Sequence, residues 1–125
     1  MKINFADERP IFAQVAEGIE DGILAGAYPE GEQVPSTTEI SVTYKINPAT
    51  ALKGITRLAE EGILYKQRGL GMFVSQGAVE RVKQKRKAAF SEQYISRLIR
   101  EAKRLNFTLG ELVELIERSY DREED

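Results

Sequence analysis

Two helix-start signals stand only eleven residues apart in this chain, and their spacing constrains the fold more than any other feature. Ser36 and Glu39 have the spacing of a capping box, in which the hydroxyl and the carboxylate each satisfy a backbone N–H. Asn47 followed by Pro48 is the second signal, with asparagine as N-cap and proline at the first helical position. The pattern predicts a short helix, a very short turn, and a longer helix that stops at Gly62.

An amphipathic helix is expected before this pair and a β-hairpin after it. Asp7 is a candidate N-cap for the preceding helix. The β-prone stretches 63–67 and 70–74 surround Arg68 and Gly69, as in a hairpin. This order of elements is that of a winged helix-turn-helix. The apolar residues at helical spacing in the first helix are Phe12, Val15, Ala16, Ile19 and Ile23.

The sequence pattern of residues 76–125 predicts two further helices, each with apolar residues along one side. Thr108 and Glu111 repeat the capping-box spacing at the start of the last one. The two stripes offer more apolar surface than two helices can bury against each other, so we expect an arm that associates with a second copy. The alternative is that the stripes pack back on the winged helix. The predicted dimerisation residues are Ile95, Leu98, Ile99, Ala102, Leu105, Leu109, Leu112, Val113 and Ile116.

The composition excludes several kinds of chemistry. The chain has no cysteine and no histidine, which removes disulfides, thiolate chemistry, most zinc sites and the commonest general base. No carboxylate pair or activated lysine is evident, so we expect no enzyme, no metal and no cofactor. No apolar run is long enough to span a bilayer, and the N-terminus lacks the apolar core of a signal peptide. We therefore expect a cytoplasmic protein without a membrane partner.

The net charge of −2 does not favour nucleic acid, but the distribution of charge along the chain does. Residues 1–35 contain two bases and seven acids, whereas residues 36–75 contain five bases and three acids. A binding surface needs local positive potential rather than a basic whole. The run 81–87 adds five bases; it either contacts phosphates or forms a solvated face.

The third helix, on a helical wheel, has a polar side that suits a major groove. Thr50, Lys53, Gly54 and Arg57 gather there, and lysine and arginine suit phosphates or guanine edges. An ordinary solvated face is the alternative interpretation. Gly54 is compatible with close approach of DNA or with a tight contact inside the protein. The opposite side, expected in the core, holds Ala51, Leu52, Ile55, Leu58 and Ala59.

The hairpin tip provides the second candidate contact. Lys66 and Arg68 stand beside Gly69 and Gly71, and the glycines are needed for the turn in any case. A basic wing of this kind lies along a phosphate backbone or enters the minor groove, where arginine is attracted by the negative potential. The sequence thus predicts exposed cations on the third helix and on the hairpin that follows it.

Several motifs together resemble the GntR family. They are the runs 10–15, 34–36, 46–50 and 58–65, continuing into Arg68-Gly69-Leu70-Gly71-Met72-Phe73-Val74. The Asn-Pro-x-Thr start of the third helix and the short C-terminal arm resemble its YtrA-type subfamily. The resemblance is dense over residues 10–75, whereas residues 76–125 match only in length and helical character.

The resemblance implies a homodimeric transcription factor, usually a repressor, that binds a palindromic operator in double-stranded DNA. Many relatives have arginine where this chain has Thr38, and many in the wider family have arginine where it has Leu52. The operator therefore cannot be inferred from relatives. The DNA contacts that the resemblance implies are Ser36, Thr38, Asn47, Thr50, Lys53, Arg68 and Gly69.

We predict a mostly α-helical fold with a small β-hairpin: a winged helix-turn-helix over 1–75 and a two-helix dimerisation arm over 76–125. The expected function is a sequence-specific DNA-binding repressor. One alternative is a winged helix that binds another protein. The other is a regulator that senses a small-molecule effector between the arm and the winged helix, although two helices are too few to enclose a usual metabolite pocket.

Overall fold

The computed structural model describes residues 1–123, and its element order is the predicted one. Helices dominate, and one antiparallel hairpin follows the third of them. A π-helical turn, Ser91–Ile95, interrupts the predicted long helix. The bounds are α1 Ile11–Leu24, α2 Thr37–Tyr44, α3 Pro48–Glu60, β1 Leu64–Gln67, β2 Gly71–Val74, α4 Ala78–Phe90, α5 Ser96–Arg104 and α6 Leu109–Arg122. The predicted fold class, mostly helical with a small hairpin, is confirmed.

Both predicted start signals of the helix pair are confirmed. The Ser36 hydroxyl accepts from the Glu39 N–H at 3.0 Å, and the Glu39 carboxylate accepts from the Ser36 N–H at 3.1 Å. The Asn47 side-chain oxygen accepts from the Ala49 N–H at 2.8 Å, with Pro48 at the first helical position. Such caps satisfy backbone donors that have no partner within a helix, so they fix where α2 and α3 begin.

The turn between α2 and α3 is three residues long, and each residue has a structural role. Lys45 ends α2 with a positive φ of 55°. Ile46 is buried; its N–H donates to the Ser41 carbonyl and its carbonyl accepts from the Ser41 hydroxyl at 2.7 Å. Asn47 then caps α3.

The start of α1 differs from the prediction. Pro10, not Asp7, occupies the N-cap position of α1 and makes no side-chain cap. The Asp7 carboxylate instead accepts from the Arg9 N–H and side chain, which holds the pKa of Asp7 below its ordinary value. Gln14, buried in α1, fastens the N-terminal segment by bonding the backbone of Asn4 and Arg9.

The chain forms two compact units, Met1–Lys85 and Arg86–Asp125, the second described through residue 123. The core of the first unit is built by α1, α2, α3, the hairpin and the first turns of α4. Ala78 and Val82 are fully buried in it, although they follow residue 75, where we placed the division between DNA-binding domain and arm. That division is one of function and stays a prediction.

The hairpin is part of a slightly larger sheet. Leu64 pairs with Val74 and Tyr65 with Phe73 across the two strands. On the other side of β2, the segment 31–34 makes backbone hydrogen bonds to residues 72 and 74. The carboxylate of Glu30, just before that segment, accepts hydrogen bonds from the N–H groups of Gly77 and Val79. It thereby satisfies two backbone donors at the start of α4. These two bonds hold the pKa of Glu30 below its ordinary value.

The second unit contains α5 and α6, which have their own start and stop signals. Asn106, at a positive φ of 61°, ends α5, and the Phe107 N–H donates to the Ala102 carbonyl at 2.9 Å. The predicted capping box of Thr108 and Glu111 is confirmed at the start of α6. Glu111 has a lowered pKa because its carboxylate accepts hydrogen bonds from Thr108.

Candidate nucleic-acid interface

Helix α3 is held with one side in the core and the other in solvent. Ala51, Ile55 and Leu58 are buried, as predicted. We call the solvent side the outward face of α3; it borders a shallow depression. The outward face consists of Ala49, Leu52, Lys53, Thr56, Arg57 and Glu60.

Leu52 and Gly54 are on opposite sides from those predicted. Leu52, expected in the core, is 53% exposed, whereas Gly54, expected to face outward, is buried against α1. A Cβ at Gly54 would stand 2.7 Å from the Phe12 carbonyl oxygen and 2.9 Å from the Val15 side chain. Of the two roles considered for Gly54, the tight contact inside the protein is the one observed. The outward face is thus rotated by roughly one residue position, about 100°, from the predicted one.

Two of the predicted cations lie on the outward face. The Lys53 ammonium lies 4.1 Å from the ring centroid of Phe12, within range of a cation–π interaction. Arg57 is 3.9 Å from the carboxylate of Glu61 one turn later, and its side chain remains 41% exposed. Thr50 is half-buried at the edge of this face. The Lys53 ammonium and the Arg57 guanidinium are therefore both accessible to a ligand that lies against the outward face of α3.

The remaining predicted contacts on the helix pair lie at helix starts. Ser36 and Asn47 have structural roles as caps, yet Asn47 is exposed and Ser36 is half-buried. Thr38 is exposed in the first turn of α2. Lys45, also exposed, follows α2 and was not predicted as a site residue; its basic side chain in so short a turn was the available signal.

The wing tip places two cations in solvent. Lys66, Arg68 and Gly69 are all exposed, and Gly69 has a φ of +80° with open space where a side chain would be. The Gln33 amide donates to the Leu70 carbonyl at 2.6 Å and joins the tip to the neighbouring segment. Gln33 is not among the predicted site residues; the polar-apolar alternation of Gln33 and Val34 is only a weak signal for a strand.

Two bases of the run 81–87 make contacts inside the protein, a role that differs from both predicted ones. The Arg81 guanidinium donates to the Gly62 carbonyl. The Lys85 ammonium lies 2.6 Å from the carboxylate of Glu20, which is buried. It also lies 2.7 Å from the carboxylate of Glu61, which is not. These bonds join α4 to α1 and to the end of α3. Two of the five bases thus stabilise the first unit rather than extending its charged surface.

Two features are absent from the described part of the chain. Residues 1–123 contain no group of three or more acidic, histidine or cysteine side chains able to hold a metal ion. In the same range, no helix is long and apolar enough to cross a bilayer. The candidate surface consists of the outward face of α3, the start of α2 and the wing tip.

Comparison with known proteins gives a consistent set of relatives. The family model of bacterial regulatory proteins, gntR family, matches residues 12–74. The HTH-type transcriptional repressor YtrA of Bacillus subtilis (strain 168) is 28% identical over 116 residues, covering 93% of this chain and 88% of YtrA. The longer regulator YurK of that strain, itself uncharacterized, is 32% identical over 79 residues, or 63% of this chain. The match spans only about a third of YurK, 33% of its length.

Solved structures have the same architecture. A Bacteroides thetaiotaomicron protein assigned to the GntR family of transcriptional regulators superposes with a TM-score of 0.77 at 28% identity, over 90% of this chain and 97% of its own. The AraR DNA-binding domain, solved in complex with operator ORX1, superposes with a TM-score of 0.55 at 28% identity. That match covers 60% of this chain and 96% of the AraR chain.

Proposed function

The chain belongs to the GntR family of bacterial regulatory proteins, and from this premise we propose that it binds operator DNA and represses transcription. This family is a class of transcription regulators and not of enzymes. The observation that carries the proposal is the outward face of α3. It stays in solvent with Lys53 exposed and Arg57 half-buried, while the opposite side of the same helix is in the core. A helix presented in this way fits the major groove.

The wing and the start of α2 support the same mode of binding. Arg68 and Lys66 extend into solvent at the wing tip, where they suit a phosphate backbone or a minor groove. The first turn of α2 offers Ser36 and Thr38, whose hydroxyls suit phosphate oxygens. Because the AraR domain was crystallised with its operator, a protein of this fold is suited to duplex DNA. The repressor role is proposed from the similarity to the HTH-type transcriptional repressor YtrA, which matches over most of both chains.

We further propose that the second unit is a dimerisation arm. Of the nine predicted residues, Ala102 is buried and Leu112 half-buried, whereas the other seven are exposed within the single chain, from 38% for Ile95 to 78% for Leu109. Exposed apolar side chains in such number favour association. A C2 dimer would present two α3 helices to a palindrome about one DNA turn apart, or a multiple of it.

The DNA-binding proposal is tested by selection from random duplexes followed by footprinting on the DNA upstream of the protein's own gene. We expect one recurring palindrome, and binding much tighter than to unrelated duplexes of equal length. Equal affinity for all duplexes would contradict sequence-specific binding. Transcription in vitro from a promoter that contains the site should fall when the protein is added, whereas a rise would contradict repression.

The arm is tested by light scattering on the full chain and on the double variant Ile99→Glu with Ile116→Glu. Both side chains are exposed, so the charges leave each protomer folded but disfavour an apolar interface. We expect the wild type to be a dimer and the variant a monomer with weaker operator binding, because one copy loses the effective concentration of its partner. Lys103→Glu, exposed on α5, is the matched control. A monomeric wild type would contradict the assignment.

A further inference from the structure

The outward face of α3 is not uniformly polar, and its apolar part has no structural role. Ala49, Leu52 and Thr56 follow one another at helical spacing on this face. Leu52 is 53% exposed although the helix has a well-filled core on its other side. Single exposed leucines are common on protein surfaces. This one stands out because it lies on the surface that carries the proposed DNA contacts.

The charged and apolar parts of this face are separated. On the helical wheel, Lys53 and Arg57 lie along one edge, and Leu52 lies along the other. A helix in the major groove that directs its cations toward one phosphate strand turns the remainder of this face toward the base edges. Leu52 then meets base edges rather than phosphates, and its side chain can neither donate nor accept a hydrogen bond.

Among the groups that base pairs present in the major groove, the C5-methyl of thymine is the apolar one. A leucine on this surface gains from contact with that methyl and leaves the polar edge of a guanine or cytosine without a partner. We propose that Leu52 is a specificity-determining residue that contacts a thymine methyl, so that the operator carries an A·T pair at a fixed place in each half-site. The proposal rests on the proposed function and adds the base chemistry of its site.

The experiment replaces each thymine of the selected operator, one at a time, by deoxyuridine, which lacks the methyl and keeps every hydrogen-bonding group. Kd is measured for the wild-type full chain and for Leu52→Ala. We expect one position in each half-site where uracil weakens wild-type binding about fourfold, as for the loss of one buried methyl-sized group. The Leu52→Ala protein should have the same Kd for the operator with thymine at that position and for the operator with uracil there.

Leu70→Ala is the matched control, because it also removes an exposed leucine, but from the wing tip. Whatever its overall affinity, this variant should keep the uracil penalty of the wild type. A Leu52→Ala protein with an undiminished penalty would overturn the proposal, as would a wild type indifferent to uracil at every position. Because these outcomes require an operator that the wild type binds specifically, they are distinct from failure of the proposed function, in which no such operator is found.

Discussion

Gly54 of α3 lies so close to α1 that an added Cβ would stand 2.7 Å from the carbonyl oxygen of Phe12. A backbone oxygen in a helix cannot move aside as a flexible side chain does, so Gly54→Ala must shift the two helices apart. We expect the free energy of unfolding to fall by about 1–3 kcal/mol, even though alanine gains about 1 kcal/mol over glycine within a helix. Urea unfolding followed by circular dichroism measures the change.

Gly110→Ala is the control for this substitution. Gly110 also lies in a helix, but a Cβ there would have its nearest neighbour at 4.0 Å. That variant should be as stable as the wild type or slightly more so. Equal stability of Gly54→Ala and the wild type would mean that the α1–α3 contact is looser than described.

Lys53→Ala should weaken operator binding by about 1–3 kcal/mol if the ammonium contacts a base, without loss of helix content. The variant also loses the cation–π contact with Phe12, which affects stability only slightly at an exposed site. Gel-shift titration gives the affinity, with Lys2→Ala as an exposed control far along the chain. Unaltered affinity would remove Lys53 from the interface.

Arg68→Ala tests the wing through the salt dependence of binding. If the guanidinium neutralises one phosphate, its removal should lower the slope of log Kd against log salt concentration by about 0.9. Affinity for operator and random duplexes should fall alike, because phosphate contacts carry no sequence information. A loss limited to one base pair of the operator would show direct base readout instead.

The sequence predicted the framework of the first unit well because the relevant signals are local. The capping residues Ser36 and Asn47 determine helix starts through bonds to residues two or three positions away. The glycine at the wing tip has the positive φ that such a turn requires. Such patterns need no knowledge of the tertiary structure, and they gave the element order correctly.

The orientation of α3 about its own axis could not be predicted in the same way. The helical wheel groups the apolar Leu52 with the core side of α3 and Gly54 with its polar side. In the structure the small size of Gly54 matters more than its polarity, since it is what allows α1 and α3 to approach. That contact is between residues about 40 positions apart in the chain, and a helical wheel contains no information about it.

Lys85→Met should lower the free energy of unfolding by about 2 kcal/mol, because it removes the charge-assisted hydrogen bonds from the ammonium to the carboxylates of Glu20 and Glu61. Methionine keeps the apolar stem, so the loss reports the charge rather than the packing. Lys83→Ala, exposed on the same helix, should change stability by less than about 0.5 kcal/mol. Thermal unfolding of the three proteins gives the comparison. A Lys85→Met protein as stable as the control would mean that solvent already screens the pair.

The variant Glu30→Gln tests the cap at the start of α4 through the pH dependence of Tm. The pKa of Glu30 is lowered in the folded protein by the N–H groups of Gly77 and Val79. Its charge therefore stabilises the fold fully above the ordinary value of 4.5 and loses this effect as pH falls through the lowered folded pKa. We expect the wild type to have the higher Tm at neutral pH and the difference to shrink in acid. A difference independent of pH would contradict a charge-based cap.

The three-residue turn between α2 and α3 bears on which changes of length this chain can accept. Lys45 ends one helix, Ile46 fills the core and Asn47 begins the next helix, so an inserted residue would displace one of the three from its place. The wing tip at 68–70 has no buried residue, and the same insertion there would extend into solvent. Over evolutionary time, natural variants of this protein should therefore gain and lose residues at the wing and keep the turn at constant length.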